Sequence, residues 1–94
     1  MLGLEVRPVT PEITRQLNLR STDGVVVTRV EDGTPAAEAG VQRGDVVKQL
    51  NGQTVKTMAD FERLTRNMKD GDPLTVLLQR GPMSLYVAFR VGRG

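Results

Sequence analysis

The sequence contains no cysteine, no histidine and no tryptophan. Without cysteine there can be no disulfide, no thiolate nucleophile and no cysteine-ligated zinc site. Without histidine, the Ser-His-Asp arrangement, imidazole general bases and histidine-held metals are excluded as well. Carboxylates, hydroxyls, one tyrosine and basic groups are what remain for chemistry. An enzyme active site is therefore not expected here, and no cofactor or metal is implied. Glu5 and Asp60 are the only carboxylates that could be set together for acid-base work, and nothing in the sequence fixes their separation.

Aromatic residues are scarce too, with Phe61, Tyr86 and Phe89 as the full set. Nucleic-acid recognition wants stacking platforms beside a basic stripe. Here 13 Lys and Arg are scattered among 11 Asp and Glu, for a net charge of +2, so no nucleic-acid partner is expected. Arg7, Arg15, Arg20 and Arg29 read as solvated side chains or as a patch for a partner. No apolar run approaches the ~18 residues of a membrane span. No basic-then-apolar leader follows Met1, and the chain is compatible with a domain excised from a longer protein. Its 94 residues, 38% of them apolar, suffice for one domain with one small core. That domain is read as residues 1–91, with 92–94 as a frayed tail.

Punctuation along the chain is frequent. Leu2, Leu4 and Val6 alternate with other residues, which reads as a short strand within Leu2 to Val9, ended by Pro8. Thr10-Pro11-Glu12 supplies a cap, a first-turn proline and an acid for a helix start. Ile13 and Leu17 share a face of that helix, and Asn18 stops it in a left-handed conformation. Asp23-Gly24 precedes the β-branched strand Val25 to Val30. Thr34-Pro35 repeats the helix start, for a short helix through Ala39 that Gly40 ends. Gly44 to Leu50 enters another strand, and Asn51-Gly52 is a strong hairpin signal before Gln53-Thr54-Val55. Thr57 with Asp60 three residues on resembles a capping box. It opens a helix with Phe61, Leu64, Thr65 and Met68 on one face, about three turns long, closed by Asp70-Gly71-Asp72-Pro73. Leu74 to Arg80 and Ser84 to Val91 are strands joined by Gly81-Pro82. Five or six short strands, one long helix and one or two short ones predict an α+β, mostly β fold, a compact and partly open barrel.

The stretch Gly33-Thr34-Pro35-Ala36-Ala37-Glu38-Ala39-Gly40-Val41-Gln42-Arg43-Gly44-Asp45-Val46-Val47, followed by Asn51-Gly52, resembles the PDZ domain family. The resemblance runs over essentially the whole chain. Two strands after the long helix look like the circularly permuted bacterial members. Leu2-Gly3-Leu4-Glu5-Val6, Thr10-Pro11-Glu12 and Gln16-Leu17-Asn18-Leu19 look most like the HtrA/Deg/Do serine proteases. Leu85-Tyr86-Val87-Ala88-Phe89-Arg90-Val91 is similar to the end of their second, C-terminal PDZ domain. The resemblance implies a non-catalytic peptide-binding module of a bacterial serine protease in the periplasm or cell envelope. Its implied partners are a neighbouring protease domain and peptide or protein C-termini with an apolar last residue. An assembly or docking role in the protease oligomer, and a place in another envelope protease or a secretion protein, stand beside this reading.

In that binding mode an extended peptide adds to a sheet edge, and its carboxylate sits among backbone N–H groups. Gly3 is carried over from the family's Gly-Leu-Gly-Phe loop, with Met1-Leu2-Gly3-Leu4 at the matching positions. The resemblance implies that the N–H groups of Leu2, Gly3 and Leu4 hold the carboxylate. It places the peptide between the strand Leu4 to Arg7, which carries Glu5, and the Thr57 to Met68 helix. Leu2, Leu4, Val6, Leu64 and Met68 would line the apolar pocket, with Asn67 as the alternative to Met68 one position back. Asp60 falls near a position where many eukaryotic relatives carry a selectivity-setting His. Met1 departs from the family's usual Gly or aromatic residue, and the basic residue that often precedes the loop is cut away or absent, which implies a weaker hold on a carboxylate than in a full-length relative. The same apolar residues fit a plain core equally, because grooves and cores are lined alike.

Overall fold

A computed structural model describes residues 2–92 of the chain. Each of its helices begins where a threonine hydroxyl accepts the backbone N–H three residues on, as the sequence pattern predicts. Thr10 accepts from Ile13 ahead of α1 (Pro11–Gln16), Thr34 from Ala37 ahead of α2 (Pro35–Ala39), and Thr57 from Asp60 ahead of α3 (Met58–Thr65). Asn18 (φ 56°) and Gly40 (φ 102°) stand in the left-handed region just after the first two helices, where the sequence placed their stops.

The third helix is shorter than its apolar spacing predicts, eight residues where about three turns were expected. Arg66 and Asn67 form a turn beyond it, and Met68 follows in irregular chain. Within the last turn the Thr65 hydroxyl donates to Phe61 O at 2.8 Å, a side-chain bond that competes with helix continuation. The Asp72 carboxylate then accepts the Lys69 N–H at 2.9 Å. Apolar periodicity reports burial, and Met68 still packs on the core after the helical bonds have ended.

The strands are β1 (Leu4–Pro8), β2 (Val25–Val30), β3 (Val46–Leu50), β4 (Gln53–Thr54), β5 (Pro73–Arg80) and β6 (Met83–Arg90). Two of them begin later than the sequence suggests. Gly3 at φ 77° precedes β1, and Gly44 at φ 95° holds the turn before β3. All pairings are antiparallel, in the order β1-β2-β3-β5-β6, with β4 hung on β3. The path ends at β1 on one side and β6 on the other, so the sheet is open and not a closed barrel. The Asn51-Gly52 hairpin forms as expected, with both residues at positive φ. Asn51 also extends the ladder, donating its N–H to Thr75 O and accepting the Thr75 N–H on Oδ1, both at 2.8 Å.

Valine, leucine and alanine build the core. Val25, Val27, Val47, Leu50, Val76 and Leu78 lie in the main cluster, and Val26 and Val46 in a second one with Val9. Ile13, Leu17 and Leu19 pack over that second cluster, which is why the α1 segment carries an apolar face. Burial of Val25, Val26 and Val27 alike accounts for the unbroken β-branched run of β2. Asp45 is the one buried carboxylate among the described residues, 1% exposed. Arg80 grips it through Nε and Nη2, both at 2.8 Å, and the Gln42 N–H donates to it at 2.9 Å. The second Arg80 nitrogen also donates to Gly40 O at 2.8 Å. Of the residues read as a tail, Gly92 follows β6 and residues 93 and 94 lie outside the described range, as does Met1.

Candidate functional site

Gly3 carries the turn into β1, and its dihedral and surroundings both call for glycine. Its φ of 77° lies where a side chain is strained. A Cβ there would stand 2.7 Å from the Cβ, Cγ2 and Oγ1 atoms of Thr34. The Gly3 carbonyl accepts the Glu31 N–H at 2.8 Å, which pins the loop to the segment before α2. Leu2, just upstream, is 7% exposed and belongs to the main core. Its side chain anchors the loop from below.

Two hydrogen bonds fix how the backbone of β1 faces. The Gly3 and Glu5 carbonyls are both turned toward β2, the first accepting from Glu31 N and the second from the Thr28 hydroxyl at 3.2 Å. Because a trans peptide unit points its C=O and N–H in opposite directions, the N–H groups of Leu4 and Val6 point away from β2. Among the described residues no strand lies on that side of β1. A β-bulge between Glu5 and Val6, opposite Thr28, interrupts the register at the same place.

The side chains alternate as well. Leu4 and Val6 are half-buried on the main core, and Glu5 and Arg7 are exposed. Leu64 of α3 and Met68 beyond it rest on that core too, whereas Asn67 is exposed in the turn. β1 and α3 do not pack closely on each other. Leu2 thus lies in the main core cluster and Leu4, Val6, Leu64 and Met68 pack against it, whereas Asn67 is exposed.

Beside the loop lies a concavity of about 250 Å³ lined by Gly3, Leu4, Glu5, Arg29 and Glu31. Arg29 and Glu31 were not among the residues expected at the site. The Arg29–Glu5 pair, at 3.4 Å and well exposed on both sides, joins residues 24 apart that only the β1–β2 register brings together. No sequence signal marks it.

Asp60 completes the capping box that its spacing from Thr57 predicts. Its carboxylate accepts the N–H groups of Lys56 at 2.9 Å and Thr57 at 3.3 Å, closing a capping box, and pairs with Arg63 at 3.4 Å. The Lys56 N–H is the main reason its pKa lies below the ordinary 3.8, with burial opposing and Arg63 and Thr57 assisting. Glu5 and Asp60 therefore have separate partners, that of Glu5 on β2 and those of Asp60 at the start of α3. Among the described residues no three His, Cys, Asp or Glu side chains cluster to hold a metal, and no helix is long and apolar enough to cross a membrane.

Comparison with known proteins gives this geometry a context. The family profile described as PDZ domain matches residues 1–91. A probable periplasmic serine endoprotease DegP-like of Rhizobium meliloti (strain 1021) is 35% identical over 91 residues, which are 97% of this chain and 18% of that protein. The putative serine protease HhoB of Synechocystis is 32% identical over 99 residues, covering 97% of this chain and 24% of its own length. The chain thus spans about a fifth of these curated relatives. Among solved structures, an HtrA-type protease AlgW with decapeptide matches with TM-score 0.87 and 28% identity, over 100% of this chain and 29% of that one. The HtrA3 PDZ domain bound to a phage-derived ligand (FGRWV) shares the fold at TM-score 0.81 and 21% identity, covering 98% of this chain and 84% of that one. With its profile matched from end to end of the core and its sheet and helices shared with these proteins, the chain belongs to the PDZ domain family.

Proposed function

We propose that the domain captures an extended peptide by strand addition at the free edge of β1, with the peptide's terminal carboxylate received by the loop at Leu2, Gly3 and Leu4. The observation that carries this reading is the direction of the Leu4 and Val6 N–H groups, away from β2 and directly after the Gly3 turn. These are the donors that an added antiparallel strand needs. Leu2, Leu4, Val6, Leu64 and Met68 form the apolar floor for the last side chain, and Met68 adapts to its shape. Glu5 lies on the strand's exposed face, and Asn67 lies at the rim.

The peptides in the AlgW and HtrA3 structures support this reading by analogy. By the company such domains keep in the R. meliloti and Synechocystis relatives, the domain serves a bacterial serine protease as a non-catalytic module. The periplasmic name of the R. meliloti relative supports a place in the periplasm. A docking role in the protease oligomer is the second reading, and the open β1 edge favours peptide capture over it. Calorimetry with a peptide ending in a free apolar residue, and with the same peptide amidated, tests the proposal. Heat of binding with the first and none with the second is expected; equal heats would remove the carboxylate from the account.

A further inference from the structure

A larger concavity, of about 560 Å³, lies on another part of the domain. Asn18, Leu19, Arg20 and Ser21 after α1 line it, together with Lys48 of β3 and the β5–β6 turn with Ser84. Lys48 is the extra residue of a β-bulge in β3, between Val47 and Gln49, and a bulge re-aims the side chain it carries. Its ammonium donates to Asp23 O at 2.7 Å. Among the described residues the ion pairs are Arg29–Glu5, Arg63–Asp60 and Arg80–Asp45, so neither Arg20 nor Lys48 is matched by a carboxylate. No acidic residue lines the concavity.

Tyr86 stands two residues from Ser84 on the same face of β6, opposite Leu77, and is 67% exposed. Leu17 and Leu19 pack against Val26 and Val46. Two unmatched cations lining a concavity attract negative charge, and an exposed tyrosine two residues from the lining Ser84 offers an aromatic surface of the kind enriched at protein interfaces. The volume is far more than one inorganic anion fills and suits several side chains. We propose that this concavity docks an acidic segment of a protein partner, with its carboxylates on Arg20 and Lys48 and an apolar side chain on Tyr86. The site is separate from the β1 edge, and the proposal does not depend on peptide capture there.

Tyr86 is the sole tyrosine and there is no tryptophan, so intrinsic fluorescence reports on this face alone. The probe is the blocked hexapeptide acetyl-EEFEDE-amide, which has no terminal carboxylate, with acetyl-QQFQNQ-amide as its neutral counterpart. The acidic peptide should change Tyr86 emission saturably and shift the amides of Leu19, Arg20, Lys48 and Ser84 in NMR spectra. The combined substitution Arg20→Gln and Lys48→Gln, both at exposed or half-exposed sites, should weaken it by about tenfold, as should raised salt. Adding a peptide with a free carboxylate should leave the response in place. An equal response to the neutral peptide, shifts confined to Gly3 through Val6, no saturation at millimolar peptide, or full competition by inorganic phosphate would each overturn the proposal.

Discussion

Gly3 and Thr34 are so close that a methyl group on Gly3 would lie 2.7 Å from the threonine side chain. Thr34 is held in turn, its hydroxyl donating to Glu31 O at 2.7 Å and accepting from the Ala37 N–H at 3.3 Å. The loop proposed to receive a carboxylate is therefore braced against the cap of α2. Gly3→Ala should cost about 1–3 kcal/mol of stability, from positive φ and overpacking together. It should also weaken peptide binding by more than the stability loss explains, because the strain falls on the loop itself. Urea melts and a peptide titration of the folded variant measure the two effects separately.

The α3 cap should show itself in acid. The pKa of Asp60 is depressed in the folded chain, chiefly by the Lys56 N–H. A depressed carboxylate contributes stability above its unfolded value and loses it as pH falls through its folded one. Asp60→Asn should accordingly flatten the fall of melting temperature below about pH 4. Thr57→Ala, which removes the other half of the box, should cost about 1 kcal/mol at neutral pH.

Asp45 and Arg80 are coupled more strongly. Arg80→Gln leaves a buried carboxylate without its bidentate partner. The expected loss is about 3 kcal/mol, at the low end for a buried pair because the Arg80 side chain is 30% exposed. Replacing both residues by neutral ones should cost less than the sum of the single changes. A double-mutant cycle in chemical denaturant reads this directly.

The helix capping, the Asn51-Gly52 turn and the β-branched core strand were legible because each rests on local chemistry within a few residues. Thr57 and Asp60 start α3 through bonds between residues only three apart. What was not legible depends on register. Arg80 meets Asp45 across 35 residues, Arg29 meets Glu5 across 24, and the bulges at Thr28 and Lys48 follow from strand pairing. The apolar spacing runs past the end of α3 because Met68 keeps it after the backbone has left the helix. Gly3 was singled out through family resemblance, and only the structure shows its contact with Thr34.

The same helix end separates two neighbouring candidates. Met68 packs on the core and Asn67 is exposed, so Asn67→Ala should change peptide affinity less than Met68→Ala does. Met68→Leu conserves volume and should cost less than about 1.5 kcal/mol, while changing the preference among peptides that end in Val, Leu or Phe. A panel of such peptides against the three variants measures both effects.

The central claim concerns two amides. Those of Leu4 and Val6 point away from β2 along a free strand edge, whereas the Glu5 amide, by strand alternation, points toward β2. Residue-resolved hydrogen exchange, with and without a peptide bearing a free apolar C-terminus, tests it most directly. Leu4 and Val6 should exchange rapidly in the free domain and become protected with peptide, while Glu5 stays unchanged. Protection of Leu4 and Val6 without peptide, or none gained at millimolar peptide, where binding of about 4 kcal/mol would register, would contradict capture at this edge.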